Sequence, residues 1–408
     1  MNMPAAVVKK RILFVDDEPM ILAGLQNTLR PLRREWDTVF VDSGAAALDQ
    51  LAAAPFDVIV SDMRMPRMDG ATLLQQVHQR HPQVVRIVLS GYTEMEAALR
   101  AVPIAHQFLT KPCEPTLLRS VIERACSLQK LMGDVAVRDI VGSVRSLPST
   151  PRVYLALTRA LENPNTSVRE LAGIVETDVA MSAKILQLVN SAFFGLARRF
   201  TSIQEAVAYL GTNMMKSLTL SVETFQSFPE LRVKGFDPDG LQRHSVLTAR
   251  IARQMFKDKR QAEDAFTAAM LHDVGKLIAV THYPERFCKA LDAAREQARP
   301  LVDVEYETAG ASHAEAGAYL LGIWGLPYPV VEAVAHHHHP QAVPHTGFDL
   351  VDAVYVADVL AEEAAGGGPP ETACNGHPLD EVHLARLGML NQLSAWRELA
   401  ARAAQKEA

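Results

Sequence analysis

Short apolar segments that end in polar residues constrain the fold of this chain more than any other feature. They are rich in β-branched residues, and segments with helical spacing, such as 20–32 and 44–54, lie between them. The apolar segments lie at 11–19, 57–70, 86–91 and 106–112. Strands that alternate with helices predict a parallel sheet, in which reactive groups lie just beyond the carboxyl ends of the strands. We therefore expect the polar side chains at these ends to meet at one edge of a sheet.

Acidic residues, a hydroxyl and a lysine occupy these strand ends. They are Asp16, Asp17, Asp62, Ser90 and Lys111. Crowded carboxylates repel one another unless they share a divalent cation, and oxygen ligands with spare water positions suit Mg²⁺. We expect Asp16, Asp17 and Asp62 to hold that ion, with Asp62 also able to act as a nucleophile. The lysine ammonium and the serine hydroxyl are suited to binding phosphoryl oxygens.

Length and composition indicate a globular protein with more than one domain. The chain has 408 residues, of which 48% are hydrophobic and 22% are charged, enough for two or three separate cores. A net charge of −6 argues against a broad nucleic-acid surface, so we expect no DNA binding. The four cysteines show no paired or metal-type spacing, and no run of apolar residues is long enough for a membrane span. We therefore expect a cytoplasmic protein without a membrane segment.

Helical patterns dominate the chain from Leu147 to Asp358. Ser167 and Glu170 have the spacing of a capping box ahead of an apolar run. Gly211 interrupts another apolar pattern and predicts a corner there. Because no strand-like alternation follows Lys111, we expect this part of the chain to form an all-α domain.

Histidines and aspartates recur along this helical region in the order His, His-Asp, His, His-His, Asp. The candidate ligands are His244, His272, Asp273, His313, His337, His338 and Asp358. Helices of one bundle build metal sites from such side chains, and a water bound to two divalent metals could attack a phosphoester. The alternative is that the histidines form hydrogen bonds between helices and bind no metal.

Residues 9–128 resemble a response-regulator receiver domain over their whole length. The resemblance implies a doubly wound, five-stranded parallel sheet and a cognate sensor histidine kinase that phosphorylates Asp62 with Mg²⁺. It assigns the acidic pair to Asp16 and Asp17, and the switch hydroxyl and lysine to Ser90 and Lys111. Phe108 falls on the aromatic switch position of the family, although a plain core aromatic is an equal alternative.

Residues 147–358 are similar to the HDOD family, the HD-related output domain. The similarity is carried by segments that include 178–195, 265–277 and 330–340. It implies an output by binding a downstream signalling protein or a nucleotide, without established catalysis. The related HD-GYP phosphodiesterases share the ligand series, but here His339 and Pro340 follow where those enzymes carry a glutamate and a Gly-Tyr-Pro motif. A receiver-gated, metal-dependent phosphohydrolase acting on a cyclic dinucleotide is the alternative, and a scaffold whose receiver no longer cycles is a third.

Helical segments are also predicted between and after the two domains. Residues 129–146 read as a helical linker, and apolar positions at three–four spacing continue into it from the last receiver helix. We expect 118–125 to pack on the receiver and 128–135 to form an interdomain or homodimer seam. Residues 359–408 read as a C-terminal helical tail after a GGGPP break at 366–370. Its apolar stripe, Leu393, Trp396 and Leu399, would pack on the HDOD core or on a partner subunit.

Overall fold

The structure is a computed structural model that divides into two compact units. One unit is built on residues up to Arg145 and the other on most of the residues from Ser146 onward. The structure describes residues 9–91, 104–131, 140–142, 144, 147, 151–163, 165–190, 199–220, 235–343, 347–365 and 379–405.

The first unit contains a five-stranded parallel sheet with the strand order β2-β1-β3-β4-β5. The strands are β1 (Lys10–Val15), β2 (Trp36–Val41), β3 (Val58–Asp62), β4 (Val85–Gly91) and β5 (Gln107–Lys111). The central strand β3 is buried along its whole length, as expected for a parallel sheet that is covered on both faces. All five strands run in one direction, so their carboxyl ends lie at the same edge.

Helices follow β1, β2, β3 and β5 in the order that the sequence predicts. They are α1 (Pro19–Leu29), α2 (Gly44–Ala53), α3 (Gly70–Arg80) and α4 (Pro115–Leu131), with a short 3₁₀ helix at Arg30–Arg34. Leu118 and Val121 of α4 are buried, so the start of this helix packs on its own unit as expected. The side chains from 127 to 139 lie outside the described residues, and with them the predicted seam at 128–135.

The second unit is helical throughout its described residues. Its helices are α5 (Pro151–Glu162), α6 (Val168–Val175), α7 (Val179–Asn190), α8 (Ile203–Leu220), α9 (Pro238–Arg253), α10 (Lys259–Leu271), α11 (Val274–His282), α12 (Pro284–Gln297), α13 (Leu301–Ala309), α14 (His313–Ile323), α15 (Tyr328–His336), α16 (Leu350–Ala364), α17 (Glu381–Arg386) and α18 (Leu393–Ala404). Ser167 and Glu170 form the predicted capping box of α6. Gly211 has a positive φ of 70° and a non-helical conformation, which kinks α8 at the predicted corner.

The C-terminal helices pack on this unit. Trp396 of α18 is 6% exposed, and its ring stacks on Phe348 at a centroid distance of 5.1 Å. The Arg397 guanidinium pairs with Glu363 of α16 at 3.0 Å. Of the two alternatives for the tail, packing on the helical core is therefore the one seen.

The predicted fold class, an α/β unit followed by an all-α unit, is confirmed. The predicted domain boundaries at 128, 146 and 358 stay predictions. The GGGPP break at 366–370 lies outside the described residues. Among the helices that the structure describes, none combines the length and the apolar character that crossing a membrane requires.

Candidate functional sites

Two carboxylates and an ammonium group meet at the carboxyl edge of the sheet. Asp62 is the last residue of β3, Asp16 follows β1, and Lys111 ends β5. The Lys111 Nζ atom lies 2.7 Å from Asp16 Oδ2 and also contacts Asp62 Oδ1. Asp16 and Asp62 are 1% and 4% exposed. One lysine therefore bridges two buried carboxylates.

Backbone groups orient the two carboxylates. The Arg64 amide donates a hydrogen bond to Asp62 Oδ2 at 2.7 Å, and the Glu18 amide donates one to Asp16 Oδ1 at 3.0 Å. The second oxygen of each carboxylate therefore faces the Lys111 ammonium. Gly70, at the start of α3, makes this packing feasible, because a Cβ atom there would lie 2.0 Å from the Asp62 carbonyl oxygen.

Burial and charge act in opposite directions on this site. Burial raises the pKa of Asp62, although Lys111 favours its ionised form. Burial also opposes the charge of Lys111, but the carboxylates of Asp16 and Asp62 outweigh it and raise the lysine pKa. The lysine therefore stays protonated, while ionised Asp62 is disfavoured by its surroundings.

The remaining predicted residues lie on or just beyond strands of this sheet. Ser90 is on β4 and completely buried, and Phe108 on β5 is 3% exposed. Asp17 follows Asp16 and is half-buried. The peptide bond between Lys111 and Pro112 is cis.

A second cluster brings together histidines and aspartates from six helices or their ends. His244 lies in α9, His272 and Asp273 link α10 to α11, His313 begins α14, His337 and His338 follow α15, and Asp358 lies in α16. All seven belong to overlapping groups whose ligand atoms lie within 4.8 Å of one another. Gly275 permits this approach, because a Cβ atom there would lie 1.8 Å from the His313 carbonyl oxygen.

Hydrogen bonds orient the histidine rings toward the centre of this cluster. His272 Nδ1 lies 2.6 Å from the Ala269 carbonyl oxygen, and His337 Nδ1 lies 2.7 Å from the Val334 carbonyl oxygen. A carbonyl only accepts, so each Nδ1 carries a proton, and in a neutral ring the Nε2 atom then presents a lone pair. These two Nε2 atoms are buried and have no hydrogen-bond partner in the part of the chain that the structure describes.

The two aspartates face these nitrogens. Asp273 Oδ1 lies 3.3 Å from His313 Nε2 and 3.8 Å from His337 Nε2. Asp358 Oδ1 lies 2.8 Å from His244 Nε2 and 3.5 Å from His272 Nε2. The arrangement is therefore two carboxylates, each flanked by two imidazoles.

Burial opposes ionisation of both aspartates, but hydrogen bonds and charges around the cluster hold the pKa of each well below its usual range. At Asp273, burial is outweighed by Lys276, whose Nζ lies 2.7 Å from Asp273 Oδ2, and by the nearby histidines, which together lower its pKa. Burial lowers the pKa of His337 to about 3, so that ring is neutral. A neutral imidazole beside an ionised carboxylate is the donor set of a metal site.

Family models match both units of the chain. The response regulator receiver domain matches residues 12–123, and the HDOD domain matches residues 147–340. The chain is a response regulator with a receiver domain and an HDOD domain.

Individual relatives match parts of the chain. An uncharacterised protein of Treponema pallidum is 28% identical over 262 residues, which are 63% of this chain and 50% of that protein. The response regulator protein PilR of Pseudomonas aeruginosa is 36% identical over 122 residues, 30% of this chain and 27% of PilR. The chain thus spans half or less of the length of these curated relatives. A crystal structure of a virulence factor from Campylobacter jejuni, 20% identical, covers 67% of this chain and all of that one with a TM-score of 0.52, a likeness of fold.

The receiver domain brings three of the predicted residues into direct contact, namely Asp16, Asp62 and Lys111. In the pairing of β4 with β5, Ser90 lies beside Thr110 and Phe108 lies beside Val88. The two predicted switch residues are therefore on neighbouring strands, Ser90 on β4 and Phe108 on β5. The buried position of Phe108 fits a core aromatic as well as a switch residue.

The HDOD domain contains one site residue that the sequence did not point to. The Glu305 carboxylate, in α13, lies 2.6 Å from His313 Nδ1 and also accepts a hydrogen bond from the His313 amide at 2.8 Å. Although burial opposes its charge, His313 has its pKa raised to about 9 by Glu305 and by Asp273. No spacing rule would have found Glu305, because it lies eight residues from its partner in a different helix.

Proposed function

We propose that this response regulator is switched by phosphorylation of Asp62. The observation that carries the proposal is the Lys111 ammonium group in contact with the carboxylates of both Asp16 and Asp62. An Asp62 oxygen attacks the phosphorus of a phosphohistidine on a cognate sensor kinase. The O–P bond forms as the N–P bond breaks, and the histidine leaves. Lys111 and Ser90 then stabilise the phosphoryl oxygens.

Mg²⁺ fits the donor set of this edge. Lys111 contributes one positive charge against the three carboxylates of Asp16, Asp17 and Asp62, so these four side chains carry a net negative charge that a divalent cation would balance. These three carboxylates would hold the ion, and the bound ion would neutralise charge on the incoming phosphoryl group. Burial of Asp16 and Asp62 strengthens this requirement, because uncompensated buried charge is costly.

The output that we propose is a change in what the HDOD domain binds. Movement of Ser90 toward the phosphoryl group would release Phe108 to reorient, and the packing of α4 and the linker would then change. The partners would be a downstream signalling protein or a nucleotide, with a homodimer through the linker helix as one arrangement. Such a switch requires different contacts in its two states.

Phosphate-affinity electrophoresis after treatment with acetyl phosphate and Mg²⁺ tests this proposal. We expect a shifted band for the wild type, and none for Asp62→Asn or in excess chelator. Asp49→Asn, which removes an exposed acid on α2, is the matched control and should label like the wild type. Labelling of Asp62→Asn would refute the assignment, and absence of labelling of the wild type would favour a scaffold whose receiver does not cycle.

A second function, metal-dependent phosphoester hydrolysis, is favoured by one observation. The buried Nε2 atoms of His272 and His337 have no hydrogen-bond partner in the described residues, and both face ionised aspartates. Divalent metal ions bound by the seven predicted ligands would supply a nucleophilic hydroxide and polarise the phosphoester. His339 and Pro340 stand where the HD-GYP phosphodiesterases carry a glutamate and a Gly-Tyr-Pro motif. We therefore prefer binding to hydrolysis as the output.

Metal analysis combined with a hydrolysis assay separates the two outputs. Purified protein loaded with Mn²⁺ would be assayed against cyclic di-GMP and bis-p-nitrophenyl phosphate. Turnover that is abolished in both His272→Ala and Asp273→Ala would establish the hydrolase. Metal binding without turnover would leave the site a structural or ligand-binding centre.

A further inference from the structure

A groove between three helices of the HDOD domain has the features of a small-molecule site. We call it the α5–α6–α9 groove. Its volume is about 970 Å³, at the upper end of the range for ligand pockets. Its walls come from α5, α6 and α9, and none of its lining residues belongs to the histidine and aspartate cluster.

The first feature is a buried amide at the groove. Gln242 is 6% exposed, and its Oε1 atom accepts a hydrogen bond from the Val179 amide at 2.8 Å. The Val179 amide can only donate, so the Gln242 atom that it contacts must be the oxygen Oε1. This fixes the orientation of the side-chain amide, with Nε2 directed away from Val179. Nε2 is buried and has no hydrogen-bond partner in the described part of the chain. Gln242 also lines the groove, so this oriented donor belongs to a residue of the groove wall, and a ligand acceptor that reached it would satisfy it.

The second feature is the charge pattern along α9. Asp239, Gln242, Arg243, Val246 and Arg250 all line the groove, and their positions i, i+3, i+4, i+7 and i+11 place them in one stripe of the helix. Arg243 Nη2 lies 3.1 Å from Asp237 Oδ2, and its side chain is 66% exposed. One salt bridge leaves other guanidinium N–H groups able to donate to an anion. The stripe thus offers two cationic groups and a neutral donor.

The lining from α5 and α6 includes several small or apolar residues. They include Ala156 and Ala160 of α5 and Gly173 and Ile174 of α6. A Cβ atom added at Gly173 would meet nothing within 4 Å, so this glycine leaves open space. Such a wall accommodates a flat ring.

Carboxylates limit the charge that the groove accepts. Glu170 and Asp239 line it together with Arg243 and Arg250, so the formal charges of these four side chains cancel. A polyphosphate would meet two carboxylates, whereas a single phosphate can face the arginines while hydroxyl groups donate to the acids. A simple aliphatic acid would leave the Gln242 amide and both carboxylates without matching groups.

We propose that the α5–α6–α9 groove binds a nucleotide with a single phosphate. The phosphate lies against Arg243 and Arg250, the base lies on the wall of Ala156, Ala160 and Gly173, and an acceptor on the base receives the Gln242 Nε2–H. Nucleotide binding by the HDOD domain is one of the outputs proposed above, and this site gives it a location. In that respect the inference rests on the proposed function. Binding itself does not require phosphorylation of Asp62.

Isothermal titration of the full chain with AMP, GMP, CMP and UMP tests the site. We expect saturable binding of at least one of them at a single site. Gln242→Glu keeps the acceptor for Val179 but replaces the donor, and should weaken binding by about tenfold or more. Gly173→Leu fills the open space and should abolish binding. Gly24→Leu is the matched control, since a Cβ atom at Gly24 in α1 also meets nothing within 4 Å, and it should bind as the wild type does.

Several results would overturn the proposal. The first is that none of the four nucleotides binds, and the second is that Gly173→Leu binds as the wild type does. The third is that decanoate, a simple aliphatic acid, binds more strongly than every nucleotide. Circular dichroism of each variant shows whether it folds. If Gln242→Glu does not fold, Arg250→Gln provides a second test, because Arg250 is exposed and its substitution should leave the fold intact. Asp62→Asn should bind normally, so failure of the groove is distinguishable from failure of the phosphorylation proposal.

Discussion

The lysine that bridges two buried carboxylates allows a quantitative prediction. Lys111→Gln removes the cation that contacts Asp16 and Asp62, whose side chains are 2% and 5% exposed. Breaking a buried ion pair by removing one partner costs about 3–5 kcal/mol. Because the Lys111 side chain is 20% exposed, we expect the low end, about 3 kcal/mol without Mg²⁺.

Asp62→Asn should act in the opposite direction. Burial raises the pKa of Asp62 above its ordinary value, so its ionised form destabilises the folded receiver domain at neutral pH, and this penalty disappears as the pH falls below the unfolded pKa. The neutral asparagine therefore stabilises the domain at pH 7. In the double variant with Lys111→Gln, only Asp16 lacks a counter-charge, and the loss should fall to about 1 kcal/mol.

Hydrogen-exchange mass spectrometry of the full chain measures these changes in stability for the receiver domain alone. A loss of 3 kcal/mol corresponds to exchange that is faster by about two orders of magnitude in peptides of β1, β3 and β5. Lys10→Gln is the matched control, because Lys10 Nζ pairs at 2.9 Å with the carboxylate of Asp57, which is partly exposed; this substitution should cost less than about 1 kcal/mol. Equal effects of the two lysine substitutions, or no recovery in the double variant, would refute this reasoning.

Three further predictions test separate parts of the structure. Gly70→Ala should lower the melting temperature of the receiver domain by an amount equivalent to at least about 2 kcal/mol, because its Cβ would lie 2.0 Å from a carbonyl oxygen. Gly24→Ala should leave the melting temperature unchanged, and equal melting temperatures of the two variants would contradict this prediction. Trp396→Ala should cost the HDOD domain about 3 kcal/mol in chemical denaturation, because it removes a buried ring stacked on Phe348; an unchanged midpoint would show that the tail is not packed. His337→Gln should reduce bound Mn²⁺, measured by inductively coupled plasma mass spectrometry, by more than about tenfold; unchanged metal content would exclude His337 as a ligand.

The sheet was predictable from sequence because its central strands are continuous apolar segments with polar ends. The strand that the pattern did not locate is β2, whose residues after Trp36 are half-buried or exposed, so its hydrophobic signal is weak. At the site, Asp62 and Lys111 could be brought together from sequence, because parallel strands place their carboxyl ends side by side.

The helical site was predictable only in part. The order of histidines and aspartates predicted the residues that form the cluster, but the side-chain orientations depend on contacts that no local pattern encodes. Glu305 reaches His313 because α13 and α14 are joined by a tight turn at Gly310, which adopts a positive φ of 79°. The α5–α6–α9 groove arises from the packing of helices far apart in sequence, so tertiary structure alone reveals that Gln242 faces it.

The central claim is that a phosphoryl group on Asp62 changes the HDOD domain. Hydrogen-exchange mass spectrometry with Mg²⁺ and beryllofluoride, a phosphoryl mimic, tests it most directly. We expect altered protection both in β4 and β5 and in peptides of the HDOD domain for the wild type, and in neither for Asp62→Asn. Changed protection confined to the receiver domain would contradict the claim that phosphorylation controls the output.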